Sequence, residues 1–384
     1  MLKRYVEKAL TEYIEGKDYK TFYLWGPRRS GKTTLLNEFS QKLHVPVFNF
    51  DFSSDHEKFT PDRHTLGKLA KAYPVILIDE VQNYPQATIA LKLLHDEFKT
   101  KVIATGSSEL RQKGKEFDSQ AGRFTQHYCL PLSLEEIKAN TALPAHEEGA
   151  FAKRLAEQLQ IFGSYPEVYT IQDASTEKKI ELLENIIQTY VLKDVVNIYE
   201  LKNEKLARDI LTKIALQLGS EVSVRELAAS LGSNGATVAN YIEIFIKNYI
   251  LIPLPSFRTN ARRAVSENRK LYFYDMGIRN AFIKDFRETS LRQDQGGLFE
   301  NFIVLEIEKQ RRNMDMKCDL FFYREYGGKE IDLIVADYFK RYKAVEIKVK
   351  NKKGNKDIFP LSHTFATINA ENYFTSLSEA LQLS

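Results

Sequence analysis

The sequence predicts an α/β fold built on a parallel sheet, and three stretches near its beginning support that prediction. An apolar strand, Thr21–Trp25, runs into a glycine-containing loop, and a helical pattern, Thr34–Phe39, leaves that loop. A fully apolar run, Val75–Ile78, has the length and composition of a buried parallel strand. A further strand, Lys101–Thr105, ends at the small residues Gly106–Ser108. Strands that alternate with helices in this way are typical of a parallel sheet.

The composition describes a soluble globular protein of more than one domain. The chain has 384 residues, with 43% hydrophobic and 28% charged residues, and its length suggests about two or three domains. A net charge of +4 permits a nucleic-acid partner without requiring one. The two cysteines, Cys129 and Cys318, lie far apart and have no His or Cys neighbours at ligand spacing. Neither a disulfide framework nor a zinc site is therefore expected.

No targeting or membrane-spanning pattern stands out in the sequence. No apolar run approaches the roughly 20 residues of a membrane span. The first residues, Met1–Glu7, are charged and lack the apolar core of a signal peptide. We therefore expect a protein of the cytoplasm without a membrane partner.

The loop after the first strand matches the pattern G-x-x-x-x-G-K-[ST] without a mismatch at 26–33. Its two glycines would let the backbone wrap round a triphosphate, so that N–H groups and the helix N-terminus face the anion. Lys32 would reach the β- and γ-phosphates, and the Thr33 hydroxyl would bind Mg²⁺. A chance glycine-rich turn is the alternative, and the strand before and the helix after the loop argue against it. The residues predicted to bind ATP are Gly26, Pro27, Arg28, Arg29, Ser30, Gly31, Lys32, Thr33 and Thr34, together with Asp79.

An acidic pair, Asp79 and Glu80, follows the apolar strand Val75–Ile78. Asp79 is placed to hold Mg²⁺ through its water shell, as the aspartate of a Walker B motif does. Glu80 would polarise the water that attacks the γ-phosphate. The alternative interpretation of such a pair is a solvated turn.

Two further residues are candidates for catalytic roles in the nucleotide site. Ser107 lies at the carboxyl end of a strand, where ligands bind in open α/β sheets, and would sense the γ-phosphate. Thr105 and Ser108 are alternatives for that role, and a strand-ending turn of small residues is the structural alternative. Arg123 precedes the predicted strand Gln126–Leu130 and would act as an arginine finger. The alternative interpretation is a plain surface arginine.

The middle of the chain predicts a helix-turn-helix. Ser223 and Glu226 have the spacing of a capping box, the turn Gly232–Gly235 follows, and a second helix presents apolar residues at a spacing of three and four. The run Tyr249–Leu254 is then the first strand of a wing. The exposed side of the second helix would offer polar residues without arginine or lysine to DNA: Ser233, Asn234, Thr237 and Asn240.

Basic residues for DNA contact are expected on the wing itself. They are Arg258, Arg262 and Arg263. The alternative is a winged helix that serves only as a packing module.

Two predicted strands near the C-terminus, Glu330–Val335 and Lys343–Val349, place charged residues close together. Alternation puts Glu346 and Lys348 on one face of the second strand, and Asp332 lies on the first. This arrangement of two carboxylates and a lysine resembles the PD-(D/E)xK phosphodiesterases. Asp332 and Glu346 would hold Mg²⁺, and Lys348 would orient water and stabilise the developing charge.

Further residues of this region extend the same interpretation. Glu300, at the start of an apolar helix, would add another acid to the metal site. The lysine-rich run 348–356 has two interpretations. It is either a solvated loop or a segment that draws the phosphate backbone of a nucleic acid towards the acids. An inactive fold that docks DNA or protein is the alternative to a nuclease.

Taken together, these motifs resemble the prokaryotic AAA+-type ATPases that carry a C-terminal domain of unknown function (number 4143). The matching strings are GPRRSGKTTLL at 26–36, ILIDEVQNYP at 76–85, ATGSSEL at 104–110, AGRF at 121–124, LPLSLEEI at 130–137, GSYPEV at 163–168, YVLKDV at 190–195 and FYREYGGKEIDLIV at 322–335. The resemblance covers nearly the whole chain and implies an AAA+-like five-stranded parallel sheet, a helical lid, a winged helix and a nuclease-like domain. One departure is Gly163-Ser-Tyr-Pro166, where the family pattern has two glycines before the aromatic residue.

Four domains are predicted on this basis. Residues 1–140 would form the AAA+-type ATPase core, 141–200 a helical lid, 201–265 the winged helix and 266–384 the nuclease-like domain. The first boundary follows the loop-like composition of 140–149.

The function expected is that of a Mg²⁺-dependent ATPase whose nucleotide state controls a DNA-contacting, nuclease-like C-terminal half. One alternative is a signalling switch in which ATP orders the lid and an inactive C-terminal half docks a protein partner. Another is an ATP-driven remodelling oligomer in which Arg123 works in trans. The sequence leaves the number of subunits open.

Overall fold

A computed structural model describes residues 2–107, 122–142, 144–171, 175–194, 203–258, 269–325, 327–350 and 358–383. The chain forms two compact units, Met1–Leu130 and Pro131–Ser384. Within the described ranges, no helix is long and apolar enough to cross a membrane.

The amino-terminal unit is a parallel sheet of five strands with helices packed against it. Its strands are β1 (Thr21–Trp25), β2 (Val47–Asn49), β3 (Val75–Asp79), β4 (Lys101–Gly106) and β5 (Phe124–Tyr128). Its helices are α1 (Val6–Glu15), α2 (Lys32–Leu43), α3 (Ser53–Lys58), α4 (Arg63–Ala72) and α5 (Ala87–Asp96), with a 3₁₀ turn at Val81–Asn83. The strand order is β2-β3-β4-β1-β5 and every neighbouring pair is parallel, which confirms the predicted five-stranded sheet.

The core of this unit explains why its central strands are apolar. Every residue of β1 and β3 is buried, as expected for parallel strands that are covered on both faces. Phe22 and Leu24 of β1 share a core with Leu35 of α2. Tyr23 and Trp25 alternate with them and stack on each other, with ring centroids 5.1 Å apart. The packed sheet therefore fixes the loops that leave its carboxyl edge.

The carboxyl-terminal unit contains two sheets among helices. Its helices are α6 (Leu134–Ala139), α7 (Glu148–Phe162), α8 (Pro166–Thr170), α9 (Thr176–Ile186), α10 (Glu204–Leu216), α11 (Val224–Ser230), α12 (Gly235–Lys247), α13 (Met276–Ile283), α14 (Gln295–Asn313) and α15 (Tyr373–Ala380). A π-helix spans Ile187–Asp194, and 3₁₀ turns lie at Ala145–Glu147 and Thr289–Leu291. The strands are β6 (Glu221–Val222), β7 (Leu251–Pro255), β8 (Arg269–Phe273), β9 (Cys318–Arg324), β10 (Glu330–Asp337), β11 (Tyr342–Lys348) and β12 (Thr364–Asn369).

The predicted helix-turn-helix corresponds to helices α11 and α12. A small sheet flanks them, with β6 before α11 and with β7 and β8 after α12. The Ser223 hydroxyl accepts a hydrogen bond from the N–H of Glu226 at the start of α11, and Asn234 caps α12 through the N–H of Thr237 at 2.8 Å. Strands β6, β8 and β7 form an antiparallel sheet in that order. Its strand β8 lies beyond residue 265, where the predicted winged helix ends.

The second sheet has the order β12-β11-β10-β9, with β10 antiparallel to both β9 and β11. The predicted hairpin of the two acidic strands is therefore present. Between the pairs Ile331–Tyr323 and Ile334–Phe321, β10 has two residues and β9 has one. Such a β-bulge bends the strand and redirects side chains, and Asp332 is one of the two bulged residues.

Candidate nucleotide site and carboxylate cluster

The loop predicted to bind phosphate joins β1 to α2 and is held close to the end of β5. A Cβ atom at Gly26 would lie 2.0 Å from the carbonyl oxygen of Cys129, so only glycine fits there. Gly31 has a φ of 102° in the left-handed region and directly precedes α2. The first N–H groups of α2, which have no partner within a helix, thus follow this loop directly. This is the backbone arrangement that binds a phosphate group.

Lys32 lies inside this loop with its side chain buried. Its ammonium group donates to the carbonyl oxygens of Gly26 and Pro27, both at 2.7 Å. Burial lowers the pKa of Lys32, while Glu80 and Asp79 oppose that shift. The Lys32 ammonium group thus lies within the loop that would receive a triphosphate.

Thr33 and Asp79, the predicted Mg²⁺ ligands, are in contact. The Thr33 hydroxyl donates to Oδ2 of Asp79 at 2.8 Å, and Oδ1 accepts from the N–H of Glu80 at 3.1 Å. The hydroxyl of Thr105, the predicted alternative to Ser107 as the phosphate-sensing residue, also donates to Asp79. A hydroxyl and a carboxylate are the hard oxygen donors that Mg²⁺ prefers, and the donor set therefore fits this ion.

Glu80 and Ser107, the predicted water-polarising and phosphate-sensing residues, are linked by a residue that the sequence reasoning missed. The Gln82 amide nitrogen donates to Glu80 and, at 3.1 Å, to the hydroxyl of Ser107. Glu80 itself has a φ of 52°, which is uncommon for a residue other than glycine. The signal available in the sequence was the position of Gln82, two residues after Glu80 and inside the turn Val81–Asn83.

Arg123 lies away from the nucleotide site of its own chain. Its backbone carbonyl accepts from the N–H of Thr21, at the amino end of β1, whereas the phosphate loop leaves the carboxyl end at Trp25. Five strand residues separate the two ends by about 13 Å. Its side chain donates to Asp96 at 2.7 Å, and this bond, together with His95, lowers the pKa of Asp96 to about 2.

Arg123 therefore cannot act as a finger in its own nucleotide site. A residue that precedes a strand of a parallel sheet lies at the edge opposite to the phosphate loop. The prediction of a role in trans, on the nucleotide of another copy, stays open to test.

Arg4, which contacts the phosphate loop, is a second residue that the sequence did not predict. Its guanidinium donates to the carbonyl oxygens of Ser30 at 2.6 Å and Leu130 at 2.5 Å. The Arg4 side chain is buried and ties the segment before α1 to both the loop and the segment after β5. No local sequence pattern predicts this role of Arg4, because its partners are 26 and 126 residues away in the chain.

The predicted acids and lysine of the C-terminal hairpin meet in the carboxyl-terminal unit. The Lys348 ammonium lies 2.9 Å from Asp332 and 2.7 Å from Glu346. The N–H of Ile347 also donates to Asp332 at 2.7 Å. Glu346 is completely buried. The bulge in β10 and the alternation along β11 thus bring all three predicted residues to one place.

Glu300 joins this group from α14, with partners that the sequence did not predict. Carboxylate oxygens of Glu300, Glu330 and Asp332 lie within 4.8 Å of one another. The Lys270 ammonium lies 2.9 Å from Glu300 and also bonds to Glu330, and the Tyr272 hydroxyl donates to Glu300 at 2.5 Å. We call the four acids Glu300, Glu330, Asp332 and Glu346 the carboxylate cluster.

A usable signal for these missed residues lies in β8. Lys270 and Tyr272 alternate with the apolar residues Leu271 and Phe273, so they share one face of a largely buried strand. A lysine in such a strand requires an acidic partner, but the sequence does not identify that partner.

The cluster is electrostatically coupled. Burial and the neighbouring charge of Glu300 raise the pKa of Asp332 to about 6, against the opposing effect of Lys348. Burial alone would lower the pKa of Lys270, but Glu300 and Glu330 outweigh it and the net shift is upward. The ammonium forms of both lysines are thus stabilised by the acids.

Several predicted residues lie outside the described ranges. They are Ser108, the wing residues Arg262 and Arg263, and the lysines at 352, 353 and 356. Arg258 is described and is exposed.

Comparisons with known proteins agree with this geometry. Residues 18–138 match an AAA domain, 153–289 a domain of unknown function (DUF8612) and 295–377 a second domain of unknown function (DUF4143). An uncharacterized protein of Haemophilus influenzae is 21% identical over 350 residues, which are 85% of this chain and 82% of that protein. An uncharacterized protein of Methanocaldococcus jannaschii is 25% identical over 316 residues, which are 72% of this chain and 65% of that protein.

Among solved structures, the Thermotoga maritima RuvB Holliday junction branch migration motor is 16% identical, and the match covers 65% of this chain and 89% of that chain with a TM-score of 0.31. An overlap this small adds nothing to what the strand order of the sheet shows. The phosphate loop and the parallel sheet agree with the match to the AAA domain. The chain therefore carries an AAA domain of the P-loop ATPase type at residues 18–138 and, on its carboxyl-terminal side, a DUF4143 domain at residues 295–377.

Proposed function

We propose that this ATPase is Mg²⁺-dependent and that its nucleotide state controls a DNA-contacting C-terminal half. Thr33 and Asp79 would hold the metal ion, which when bound neutralises charge on the phosphate oxygens. Lys32 would exchange the carbonyl oxygens of Gly26 and Pro27 for phosphate oxygens. Glu80 would accept the proton of the attacking water, with Gln82 holding its carboxylate in place.

Two substitutions test the roles of Lys32 and Glu80. Lys32→Ala should abolish hydrolysis and weaken ATP binding, because the loop loses the ammonium group that would reach the β- and γ-phosphates. Glu80→Gln should retain ATP and lower kcat by about a hundredfold or more, because the amide cannot accept the proton. Filter binding with labelled ATP and a phosphate-release assay separate the two effects. Rapid turnover by Glu80→Gln would remove Glu80 from the reaction.

The observation that carries the DNA part of the proposal is the position of β8. This strand belongs to the sheet beside α11 and α12, which we propose to be a winged helix, and it also supplies Lys270 and Tyr272 to the carboxylate cluster. A nucleic acid bound by α12 would therefore act on a strand that contacts the cluster. Asn234 and Asn240 of this region are exposed and available for polar contacts.

A gel-shift titration with duplex DNA tests this contact. Binding should weaken steeply as salt rises, because phosphate contacts release counterions. Asn240→Asp on α12 should weaken binding severalfold at low salt, since it places a negative charge beside the phosphates. The same change at the exposed Asn185 of α9 is the matched control. Equal binding by both variants would exclude α12 as the contact.

Cleavage of DNA by the carboxylate cluster requires its own test. If the carboxylate cluster is nucleolytic, the protein should nick DNA with Mg²⁺ or Mn²⁺, and Lys348→Ala should lose this activity. Equal nicking by both proteins would indicate a contaminating nuclease.

A protein-docking switch is the second candidate, and one surface feature favours it. Tyr338 and Phe339, in the turn between β10 and β11, are 65% and 82% exposed. Exposed aromatic residues of this kind are common at protein interfaces. Under this alternative, the gel-shift titration would detect no binding to duplex DNA at any salt concentration.

A further inference from the structure

The carboxylate cluster already contains its own cations. Lys270 lies between Glu300 and Glu330, and Lys348 lies between Asp332 and Glu346. Arg324 contacts Glu330 as well, at 2.8 Å through Nε. Each of the four acids thus has at least one positively charged neighbour within hydrogen-bonding distance.

Lys270 differs from Lys348 in its origin and in its burial. Lys348 is the lysine of the strand motif itself and is partly exposed, whereas the Lys270 side chain is 1% exposed and comes from β8 of the other sheet. A buried ammonium ion is stable only when acids compensate it. The Lys270 side chain therefore depends on Glu300 and Glu330 for its place in the fold.

Lys270 pairs with two of the acids that a divalent cation would need. Its Nζ contacts Oε1 of Glu300 and Oε1 of Glu330, and both residues have oxygens in the group that lies within 4.8 Å. A magnesium ion binds oxygens at about 2.1 Å. A second cation so close to the ammonium would be strongly repelled in a buried site. Lys270 and a divalent cation therefore exclude each other at these acids.

We propose that Lys270 is a built-in counter-ion that keeps divalent cations out of the carboxylate cluster until β8 moves. The inference rests on the proposed function, because it assigns a regulator to the same site. Since β8 is part of the sheet beside α12, a ligand held by α12 would be positioned to withdraw Lys270. Metal loading would then follow DNA contact instead of preceding it.

Binding of Mn²⁺ to the full chain, followed by electron paramagnetic resonance, tests the inference. All proteins carry Asp79→Asn, so that the nucleotide site contributes no metal signal. Lys270→Gln should bind Mn²⁺ about tenfold more tightly or better than the parent, because the competing charge is gone. Lys270→Arg, which keeps the charge, should remain as weak as the parent. Adding Asp332→Asn to Lys270→Gln should abolish the gain.

Arg269→Gln is the matched control for a general effect of charge. Arg269 is the neighbour of Lys270 on β8 and pairs with Glu243 at 2.7 Å, away from the cluster. Its loss removes the same formal charge and should leave Mn²⁺ affinity unchanged. An equal gain in both variants, or no gain in Lys270→Gln, would overturn the proposal.

A folding measurement covers the case in which Lys270→Gln is too unstable to titrate. Mn²⁺ should then raise the thermal midpoint of Lys270→Gln and leave that of the parent unchanged, because the ion replaces the missing ammonium group. A variant that Mn²⁺ fails to stabilise at any concentration would contradict the proposal.

The outcome is distinguishable from that of the proposed function. Salt-sensitive binding of duplex DNA in EDTA tests DNA contact without metal. A parent protein that binds Mn²⁺ tightly without DNA would overturn the role of Lys270 and leave DNA contact intact. A gain in Lys270→Gln without any DNA binding would support the counter-ion and refute the proposed function.

Discussion

Gln82 illustrates how one neutral side chain completes a site that charged motifs define. Its amide nitrogen bonds to both Glu80 and Ser107, and the side chain is 7% exposed. The hydrogen bond from Gln82 gives the Glu80 carboxylate a defined direction. Under the proposed role of Glu80, Gln82 is therefore a positioning residue for the attack on the γ-phosphate.

Substitution of Gln82 tests this role at the level of a single residue. Gln82→Ala should lower kcat by about tenfold to a hundredfold, because a misplaced base loses alignment with the water. KM for ATP should change little, since Gln82 does not belong to the phosphate loop. Asn83→Ala is the control, because the side-chain amide nitrogen of Asn83 donates to Asp51 at 2.6 Å. A wild-type kcat in Gln82→Ala would leave the bridge without a catalytic role.

Single residues also show which parts of the sites can be inferred from sequence. The contact of Thr33 with Asp79 follows from two local motifs and from strands whose carboxyl ends share one edge. Arg4 and Lys270 could not be predicted, because each meets its partners only after distant segments pack together. The position of Arg123 could have been inferred, since it precedes a parallel strand and must lie at the opposite edge.

At the scale of elements, α13 depends on a buried cap. Asp275 accepts from the N–H of Ile278 at 3.0 Å and from the N–H of Ser164 at 2.7 Å, so it joins α13 to the end of α7. Gly163 makes this possible, because a Cβ atom there would lie 2.1 Å from the Asp275 carboxylate. Gly163 also has a φ of 72°. The first residue of the Gly163-Ser-Tyr-Pro166 motif thus has a structural reason to be glycine.

This cap predicts a pH-dependent stability. Burial raises the pKa of Asp275 to about 6 from 3.8, although the N–H donors oppose the shift. The folded protein therefore binds this proton more tightly than the unfolded chain does. The resulting stabilisation is complete below about pH 4 and is lost as the pH rises through about 6.

Unfolding in urea measures this effect. The free energy of unfolding of the wild type, relative to Asp275→Asn, should fall by roughly 3 kcal/mol between about pH 4 and pH 7. Asp315→Asn, at an exposed position, is the control for the change of residue type. A difference between wild type and Asp275→Asn that is constant with pH would contradict the assignment.

Elements with a simple local signal were the most accurately predicted. Strand β1 coincides with the predicted run Thr21–Trp25, because a continuous apolar segment has few alternatives in a covered sheet. Strand β5 begins at Phe124, two residues before the predicted start, since its residues are half-buried and lack that signal. The bulge in β10 had no signature in the sequence, as it depends on pairing with β9.

At the scale of the whole molecule, the position of Arg123 bears on assembly. A finger that cannot reach the nucleotide of its own chain contributes to hydrolysis only if a second copy presents it. The ATPase activity per chain should then rise with protein concentration. A constant specific activity across that range would favour a self-sufficient chain.

Mixing two inactive variants gives the more decisive measurement. Lys32→Ala lacks phosphate binding but keeps Arg123, whereas Arg123→Ala keeps the phosphate loop. If the finger acts in trans, the mixture should recover a measurable part of the wild-type rate. The control mixture combines Arg123→Ala with a double variant that carries both Asp96→Ala and Arg123→Ala. Neither protein of this mixture supplies Arg123. No recovery in the first mixture would refute the role in trans.

The extra residue in β10 makes the acidic hairpin sensitive to length as well as to composition. Asp332 and Leu333 together face the single residue Phe322. Deleting Leu333 would restore an even ladder with β9 and shift the phase of every position on one side of the deletion relative to β11. A shortened chain could thus retain each acid and lysine of the motif, and still present them on opposite faces. Sequence searches that allow a gap at this point would count such a chain as intact, although its acids would no longer converge.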